Sequence, residues 1–330
     1  MTNRVVITGM GGVSSIGMSV SEIYNSMKEG KSGIGMLDIP DLARLKVKNG
    51  GQIKNFDAEN HFEQKKIARM DRFSQFALLA ADEAITSSGL RNSQETWSEN
   101  AGIILGSSIG GIETINNSYK QVFQEGHNRL HPLTIPKIMN NSATSLISIE
   151  YRIQGPSFTV SSACSSANHA MGLAYETIKS RKSNIMITGG SESFLSFGGI
   201  KPWESLRVLS HDKCRPFSRG RDGLVHGEGA GIFVFESLDS AKKRKAEIVA
   251  EIIGFSMSSD ASDLIKPNNI GPEKALEGVL KDGMINKTDV AYINAHGTGT
   301  ILNDKMESKA IKKVFGPYAK SLKVSSTKAL

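Results

Sequence analysis

The sequence has only two cysteines, Cys164 and Cys214, among 330 residues, and they form no Cys-x-x-Cys pair. So few and so widely spaced cysteines exclude a disulfide framework and argue against a cysteine-based structural zinc site. Long hydrophobic runs are also missing, and Arg4 followed by Val5-Val6-Ile7 and then glycines does not make a signal peptide. We therefore expect a cytoplasmic protein that has two free thiols and no membrane partner.

Aromatic residues are scarce as well, at 6% of the chain, although the net charge is +7. Nucleic-acid binding by stacking needs aromatic side chains interleaved with basic ones, and here the basic residues are scattered. The remaining composition, 39% hydrophobic and 22% charged, is ordinary for a globular α/β protein with one large domain or two halves. The positive charge predicts a basic docking patch for an acidic partner, and no nucleic acid.

The stretch Ser161–Ala167 places a cysteine where a thiol becomes reactive. A β-type run, Phe158–Val160, precedes Cys164. The apolar residues that follow recur at the spacing of one helical face: Ala167, Ala170, Met171, Ala174 and Ile178. The amide groups and dipole at a helix start stabilise a thiolate. For a lone cysteine the alternative is a buried structural role.

A second nucleophile pattern competes with Cys164. Residues Gly106–Gly110 match the Gly-x-Ser-x-Gly elbow of serine hydrolases, with Ser108 as the nucleophile. Glycine-rich loops produce this pattern by chance, and no Asp-then-His order follows it convincingly. The serine hydrolase is therefore the less favoured hypothesis.

Three other patterns do not reach the motifs they resemble. Gly9–Ser14 lacks the third glycine of a dinucleotide-binding loop, and Gly30-Lys31-Ser32 lacks the first glycine of a phosphate-binding loop. Both are better interpreted as turns. His127 and His131 have i, i+4 spacing, but Pro132 follows and no acidic third ligand is near, which favours a loop over a metal site.

Hydrophobic patterning predicts an alternating α/β chain. In the first part it predicts strands at 4–9, 101–106, 158–160, 185–188 and 232–235, and helices at 21–29, 73–84 and after Cys164. From residue 247 the order strand, helix, strand, helix, strand begins again, at 248–255, 272–284, 290–295, 304–315 and 322–325. This repeated order predicts a duplicated fold with halves at 1–240 and 241–330. The second half stops where the counterpart of the Cys164 helix should begin, so we expect it to be incomplete.

Four motifs occur together in an order that resembles one enzyme family. They are Ala163-Cys164-Ser165-Ser166, Asn294-Ala295-His296-Gly297-Thr298-Gly299-Thr300, Asp304-Lys305-Met306-Glu307 and Ser325-Ser326-Thr327-Lys328. The chain is similar to the β-ketoacyl-acyl-carrier-protein synthases, the elongating condensing enzymes, from Arg4 to its last residue. The resemblance implies a thiolase-like, duplicated α/β/α/β/α layered fold. It also implies a homodimer or a heterodimer with a related synthase.

The same resemblance implies a decarboxylative Claisen condensation. An acyl group held on Cys164 would react with malonyl-acyl-carrier protein to give 3-oxoacyl-acyl-carrier protein, in fatty acid or polyketide and aryl-polyene type synthesis. His296 corresponds to one of two histidines that stabilise the enolate. Lys328 corresponds to a lysine that pairs with a carboxylate, here Glu307, and Asp304 is a further supporting carboxylate.

The resemblance also assigns binding residues. Thr298 and Thr300 correspond to hydroxyls that bond the pantetheine arm, and Ile109 corresponds to a residue of the acyl pocket. Three basic residues fall where the family docks its acidic carrier protein: Lys65, Arg69 and Arg207. We expect no bound cofactor or metal, because 4'-phosphopantetheine arrives on the carrier.

In the family the lysine motif continues to a Gly-His pair and, later, to a Gly-Phe-Gly-Gly loop. This sequence ends Lys328-Ala329-Leu330, so we expect the second histidine and that loop to be absent from it. An inactive chain or a partner subunit of a condensing-enzyme dimer is therefore the main alternative to an active synthase. Chain-length factors, which are such partners, lack the cysteine, so Cys164 favours catalysis.

Overall fold

A computed structural model of the protein describes residues 2–92 and 96–330. Its contacts group the chain into two compact units. The first unit comprises Met1–Leu45, Gly50–Pro202 and Gly227–Ile252. The second comprises Lys46–Asn49, Trp203–His226 and Ile253–Leu330. The units therefore do not follow chain order, because a segment from the middle of the sequence belongs with the C-terminal residues.

The described residues form ten strands and twelve α-helices, joined by loops and short 3-10 turns. The strands are β1 Val5–Ser14, β2 Gly35–Met36, β3 Asn49–Gly50, β4 Gly102–Gly106, β5 Ser157–Val160, β6 Ile185–Glu192, β7 Gly229–Ser237, β8 Ala250–Ile252, β9 Tyr292–Asn294 and β10 Lys323–Ser325. The helices are α1 Val20–Glu29, α2 Gln64–Ile67, α3 Arg72–Ser87, α4 Trp97–Asn100, α5 Ile112–Phe123, α6 Thr134–Ile138, α7 Ser142–Tyr151, α8 Ser166–Lys179, α9 Phe197–Leu206, α10 Leu238–Lys243, α11 Ile270–Asp282 and α12 Ile301–Phe315.

The first unit is built on a six-stranded mixed sheet with the order β5-β4-β6-β7-β1-β8. β4 pairs in parallel with β5 and with β6, whereas β6, β7, β1 and β8 pair antiparallel in succession. β5 lies at one edge of this sheet, so the strand that leads to Cys164 has a neighbour on one side only. β8 lies at the other edge, although the repeated order of elements assigned it to the second half. Division of the chain at residue 240 stays a prediction.

The glycine run in β1 lies inside the strand, so the interpretation of Gly9–Ser14 as a turn was wrong. β1 runs to Ser14 and pairs with β7 from Val5 to Ser14, with a shift of register between Ile7 and Gly9. A Cβ atom on Gly9 would lie 2.1 Å from the backbone oxygen of Ala84, and one on Gly11 would lie 1.9 Å from that of Ala80. The glycines therefore let the backbone of α3 approach the strand. Close packing and turns both select glycine, so the two look alike in a sequence.

α3 is the central buried helix of the first unit. Its aromatic residues Phe73 and Phe76 are fully buried. Ala80 and Ala84 of this helix lie against β1, and their small side chains keep the helix close to the sheet. Gly30, with φ +67°, ends α1 as its C-cap, which confirms the turn predicted there.

The second unit contains α11, α12 and a parallel pair of strands, β9 and β10. Parallel neighbours need a crossover connection, and α12 provides it. Its apolar core consists of Leu280, Ile311, Val314, Phe315 and Leu322. The predicted elements of this region are confirmed, with β9 and β10 shorter than predicted. In the part of the chain that the structure describes, no helix is long and apolar enough to cross a membrane.

The close contact between β1 and α3 can be tested by stability. We expect Gly11→Ala to destabilise the protein by about 3 kcal/mol, because the added methyl group would meet backbone that cannot move without shifting α3. Gly231→Ala, on the neighbouring β7, is the control, since a Cβ atom there meets nothing within 4 Å. Denaturant unfolding of both variants measures the difference. Equal stability of the two would contradict the packing described here.

Candidate active site

Cys164 lies on a short turn between β5 and α8 in the first unit. β5 ends at Val160 and α8 begins at Ser166, so the cysteine comes two residues before the helix. Its side chain is exposed. Ala163, directly before it, has φ +48°, a left-handed backbone that non-glycine residues rarely adopt. Such a conformation persists only where surrounding contacts enforce it, and it is typical of functional sites.

Serine side chains hold this turn. The hydroxyl of Ser166 donates to the carbonyl of Ala163 at 2.7 Å and accepts from the amide of Ser162 at 2.9 Å. The hydroxyl of Ser165 donates to the carbonyl of Ser162 at 2.8 Å. Nδ1 of His169, one turn into α8, lies 2.8 Å from Oγ of Ser162. The sequence motif predicted the position of the thiol but not this contact with His169.

Two strand glycines determine how closely α8 approaches the sheet. A Cβ atom on Gly106 of β4 would lie 2.3 Å from the amide nitrogen of Ala167. One on Gly190 of β6 would lie 2.7 Å from the Cβ atom of the same alanine. The first turn of α8 therefore packs directly against both strands. This contact sets the distance between the sheet and the turn that carries Cys164.

The loop after β4 carries Ser108 and Ile109 and is bound to the Cys164 turn. The hydroxyl of Ser161 donates to the carbonyl of Ser108 at 3.1 Å. The carboxylate of Glu192 accepts from the amide of Ser108 at 2.6 Å and also from its hydroxyl. A hydrolase triad requires a histidine base at the serine, so this arrangement does not support the hydrolase hypothesis. Ile109 is half-buried on the loop. Glu192 belongs to no motif and was not predicted.

His296 lies in the second unit, just after β9. The two carboxylate oxygens of Glu307 accept from the amides of His296 and Gly297, at 2.7 and 2.8 Å. Nζ of Lys328 donates to the carbonyl of His296 at 2.6 Å. The predicted ion pair of Lys328 with Glu307 stays a prediction. These contacts show that both residues bind the backbone of the histidine loop, one at its amides and one at its carbonyl.

The environment of His296 favours the neutral imidazole. Desolvation lowers its pKa, and the positive charge of Lys328 lowers it further, whereas Glu307 and Asp304 act in the opposite direction. A neutral imidazole keeps one ring N–H and can therefore donate a hydrogen bond at neutral pH.

Thr298 and Thr300 lie on the same loop and face each other. Their hydroxyl oxygens are 2.8 Å apart. The buried carboxylate of Asp304 accepts from the amide of Gly299 at 3.3 Å and is 3.7 Å from Nε of Arg221. Gly299 has φ +75°, which favours glycine at this position. Asp304 thus holds the turn that carries the two threonines.

Ser326 binds the loop at its carbonyl groups, a contact that the sequence did not predict. Its hydroxyl lies 2.9 Å from the carbonyl oxygen of Gly297 and 3.3 Å from that of His296. The signal available in the sequence was its place in the Ser-Ser-Thr-Lys motif. The structure therefore brings His296, Thr298, Thr300, Asp304, Glu307 and Lys328 together within the second unit.

The three basic residues predicted to dock a carrier are exposed. Lys65 and Arg69 lie in and just after α2 in the first unit, and Arg207 follows α9 in the second unit. Within residues 2–92 and 96–330 none of them forms an ion pair. Lys66, between the first two, differs because it pairs with Glu150 at 2.7 Å. The predicted docking residues thus carry charge that is available to a partner.

Two family models match this chain. The N-terminal domain of β-ketoacyl synthases matches residues 2–241, and the C-terminal domain matches residues 249–330. The chain belongs to the β-ketoacyl synthase family. Membership confirms the resemblance on which the residue assignments depend.

Individual relatives agree with this membership. Nodulation protein E of Rhizobium sp. (strain N33) is 43% identical over all of this chain and 82% of its own length. The 3-oxoacyl-[acyl-carrier-protein] synthase 2 of Staphylococcus aureus (strain COL) is 40% identical over 99% of this chain and 80% of its own. The chain thus spans about four fifths of each relative.

Solved structures confirm the predicted thiolase-like α/β fold class. The ishigamide ketosynthase/chain length factor superposes with a TM-score of 0.92 at 30% identity, over 100% of this chain and 81% of that one. A β-ketoacyl synthase from Burkholderia phymatum STM815 gives a TM-score of 0.90 at 31% identity, over 99% of this chain and 81% of that one.

Desolvation and the charge of Lys328 both lower the pKa of His296 in this β-ketoacyl synthase, and mutation can remove the second cause. Because Lys328 lowers the pKa of His296, Lys328→Met should raise that pKa. The neutral imidazole would then be lost at a higher pH as the solution is acidified. NMR titration of the His296 ring protons measures the pKa without requiring activity. Lys309→Met, on the exposed side of α12, is the control that should leave it unchanged.

An unchanged or lower pKa of His296 in the Lys328→Met protein would show that this lysine does not set the charge state of the imidazole. The acid limb of malonyl decarboxylation should follow the same direction, moving to higher pH in the variant.

Proposed function

We propose that this β-ketoacyl synthase joins an acyl group held on Cys164 to malonyl-acyl-carrier protein and releases carbon dioxide and 3-oxoacyl-acyl-carrier protein. The observation that carries the proposal is the exposed thiol on a positive-φ turn at the start of α8. Membership in the family and the name of the Staphylococcus aureus relative support the same reaction.

In the first step the thiolate of Cys164 attacks the carbonyl carbon of an acyl thioester. The new carbon–sulfur bond forms, the carrier thiolate leaves and takes up a proton, and a covalent acyl-enzyme remains. One thioester replaces another, so the step is close to thermoneutral. Its requirement is a thiolate at a rigid position, and the hydrogen-bonded turn before α8 fits that requirement.

In the second step the malonyl thioester loses carbon dioxide, and the electron pair of the broken carbon–carbon bond forms an enolate. The enolate carbon attacks the acyl carbonyl on Cys164, and the cysteine thiolate leaves. The N–H of a neutral His296 would donate to the thioester oxygen as negative charge develops there. The lowered pKa of His296 supports this role, because an imidazolium would transfer its proton to the enolate and quench it.

The remaining residues would position the substrates. Thr298 and Thr300 would bind the pantetheine arm, which the carrier supplies, and Ile109 would line the acyl pocket. Lys328, Glu307 and Asp304 would hold the histidine loop in place.

The exposed edge of β5 supports assembly into a dimer with a second copy or a related synthase. Phe158 on that strand is 43% exposed, and Ile149 on α7 is 74% exposed. An open strand edge with apolar neighbours is a common site of strand pairing between subunits. Among the structural neighbours, one is a ketosynthase in complex with its chain length factor, from Xenorhabdus doucetiae.

Alkylation tests the assignment of the nucleophile. We expect limiting iodoacetamide, or an epoxide acyl mimic such as cerulenin, to label Cys164 and leave Cys214 unmodified in the folded protein. Cys164 is exposed, whereas Cys214 is buried and burial raises the pKa of its thiol. Peptide mass spectrometry measures both sites. A Cys164→Ala protein should take up no acyl group and should form no condensation product.

Equal labelling of both cysteines in a folded sample would count against an activated Cys164. Acylation without condensation in the unmodified protein would favour the alternative of a partner subunit. Reaction of a fluorophosphonate with Ser108 would revive the hydrolase hypothesis.

Carrier docking has a separate test. Charge reversal at Lys65, Arg69 or Arg207 should reduce acyl transfer from the acidic carrier protein by about tenfold while sparing small pantetheine thioesters. Added salt should reproduce the defect in the unmodified protein. Lys31→Glu, at another exposed lysine, is the control and should have little effect. Equal loss with both kinds of substrate would assign these residues a structural role.

A further inference from the structure

A segment of the second unit, Cys214–Phe217, packs against the loop that carries His296, Thr298 and Thr300. Cys214 is only 3% exposed, and its thiol donates to the carbonyl oxygen of Thr298 at 3.2 Å. A Cβ atom on Gly299 would lie 3.1 Å from the same sulfur. The thiol therefore lies against two consecutive residues of the loop, Thr298 and Gly299.

Phe217 contacts the same loop at Gly297 and is linked to it a second time through Asp304 on α12. Its amide donates to Oδ2 of Asp304 at 2.7 Å, and the other oxygen of Asp304 accepts from the amide of Gly299. Its ring lies where a Cβ atom on Gly297 would be 3.0 Å from Cε2. Phe217 adopts φ +61°, which is unfavourable for a bulky residue. A strained residue that lies against Gly297 and also binds the carboxylate that holds Gly299 indicates that the segment is shaped to hold that loop.

The thiol of Cys214 has the chemistry to act as a donor. Burial raises its pKa, so it stays protonated at neutral pH. Its acceptor, the carbonyl of Thr298, belongs to a residue that is itself buried. Loss of a donor to a buried carbonyl is costly, because water does not replace it easily. The peptide plane of Thr298 in turn sets the direction of its side chain, whose hydroxyl lies 2.8 Å from that of Thr300.

We propose that Cys214 is a positioning residue for the pantetheine arm of the substrate. Its thiol fixes the Thr298 peptide and thereby aims the Thr298 and Thr300 hydroxyls at the arm. Cys214 does not touch the reacting atoms. The inference rests on the proposed function for the identity of the arm, and on the contacts above for the role of the thiol.

Two substitutions separate a hydrogen-bond donor from a side chain that only fills space. Cys214→Ser keeps a donor in a similar position, and Cys214→Val fills the space without one. We expect the serine protein to keep a KM for the malonyl thioester within about threefold of the unmodified protein. The valine protein should have a KM about tenfold higher with little change in kcat, as expected for loss of one hydrogen bond to a buried acceptor.

A second readout does not depend on turnover. Hydrogen exchange at the amides of Gly299 and Thr300, measured without substrate, should be faster in the valine protein and unchanged in the serine protein. Thermal melting shows whether each variant is folded, and Cys214→Ala takes the place of the valine variant if that protein does not fold. Iodoacetamide labelling of Cys164 should be equal in all variants.

If the KM of the valine protein is no higher than that of the serine protein, and its amides are at least as well protected from exchange, Cys214 is a packing residue and the proposal is wrong. Absence of condensation in the unmodified protein would instead refute the proposed function. In that case the exchange comparison still decides whether the thiol holds the loop.

Discussion

The position of the cysteine depends on how closely helix backbone can approach strand backbone in the first unit. Gly106 and Gly190 leave no side chain between the sheet and the first turn of α8, and Gly9 and Gly11 do the same beneath α3. A single methyl group at any of these glycines would meet main-chain or alanine atoms within 3 Å. Since backbone cannot rotate away as a side chain can, the contact determines the geometry of the turn that carries Cys164.

The histidine loop of the second unit is held in a different way, by side chains that bind its peptide groups in succession. Carboxylates take the amides: Glu307 binds those of His296 and Gly297, and Asp304 binds that of Gly299. Side-chain donors bind the carbonyl oxygens: Lys328 donates to that of His296, and Cys214 donates to that of Thr298. Short loops with two positive-φ glycines have little intrinsic preference for one conformation. Hydrogen bonds from side chains to most of the peptide groups therefore select one conformation, which the sequence of the loop alone does not.

Periodicity predicted most of the element order, because helices and strands depend on local patterning. The thiolase-like fold class and the role of His296 were implied by the resemblance of four motifs to a known family. The glycines of β1 were wrongly interpreted as a turn. Glycine occurs both where the chain turns and where two backbones pack closely, and the sequence alone does not distinguish the two uses. Glu192, Ser326 and Cys214 were not predicted as contacts. Each acts on a peptide group 29 or more residues away, and no local pattern specifies which distant carbonyl or amide a side chain will reach.

The electrostatics of His296 reconcile two demands of the proposed chemistry. The enolate oxygen needs a positive environment, yet the group that contacts it must not be acidic enough to protonate it. A charged histidine would meet the first demand and fail the second. Here desolvation lowers the pKa of the imidazole, and the positive charge of Lys328, which donates to the carbonyl of His296, lowers it further. The positive charge thus comes from Lys328 and the hydrogen bond from His296. The imidazole can therefore stay neutral while the developing anion is stabilised.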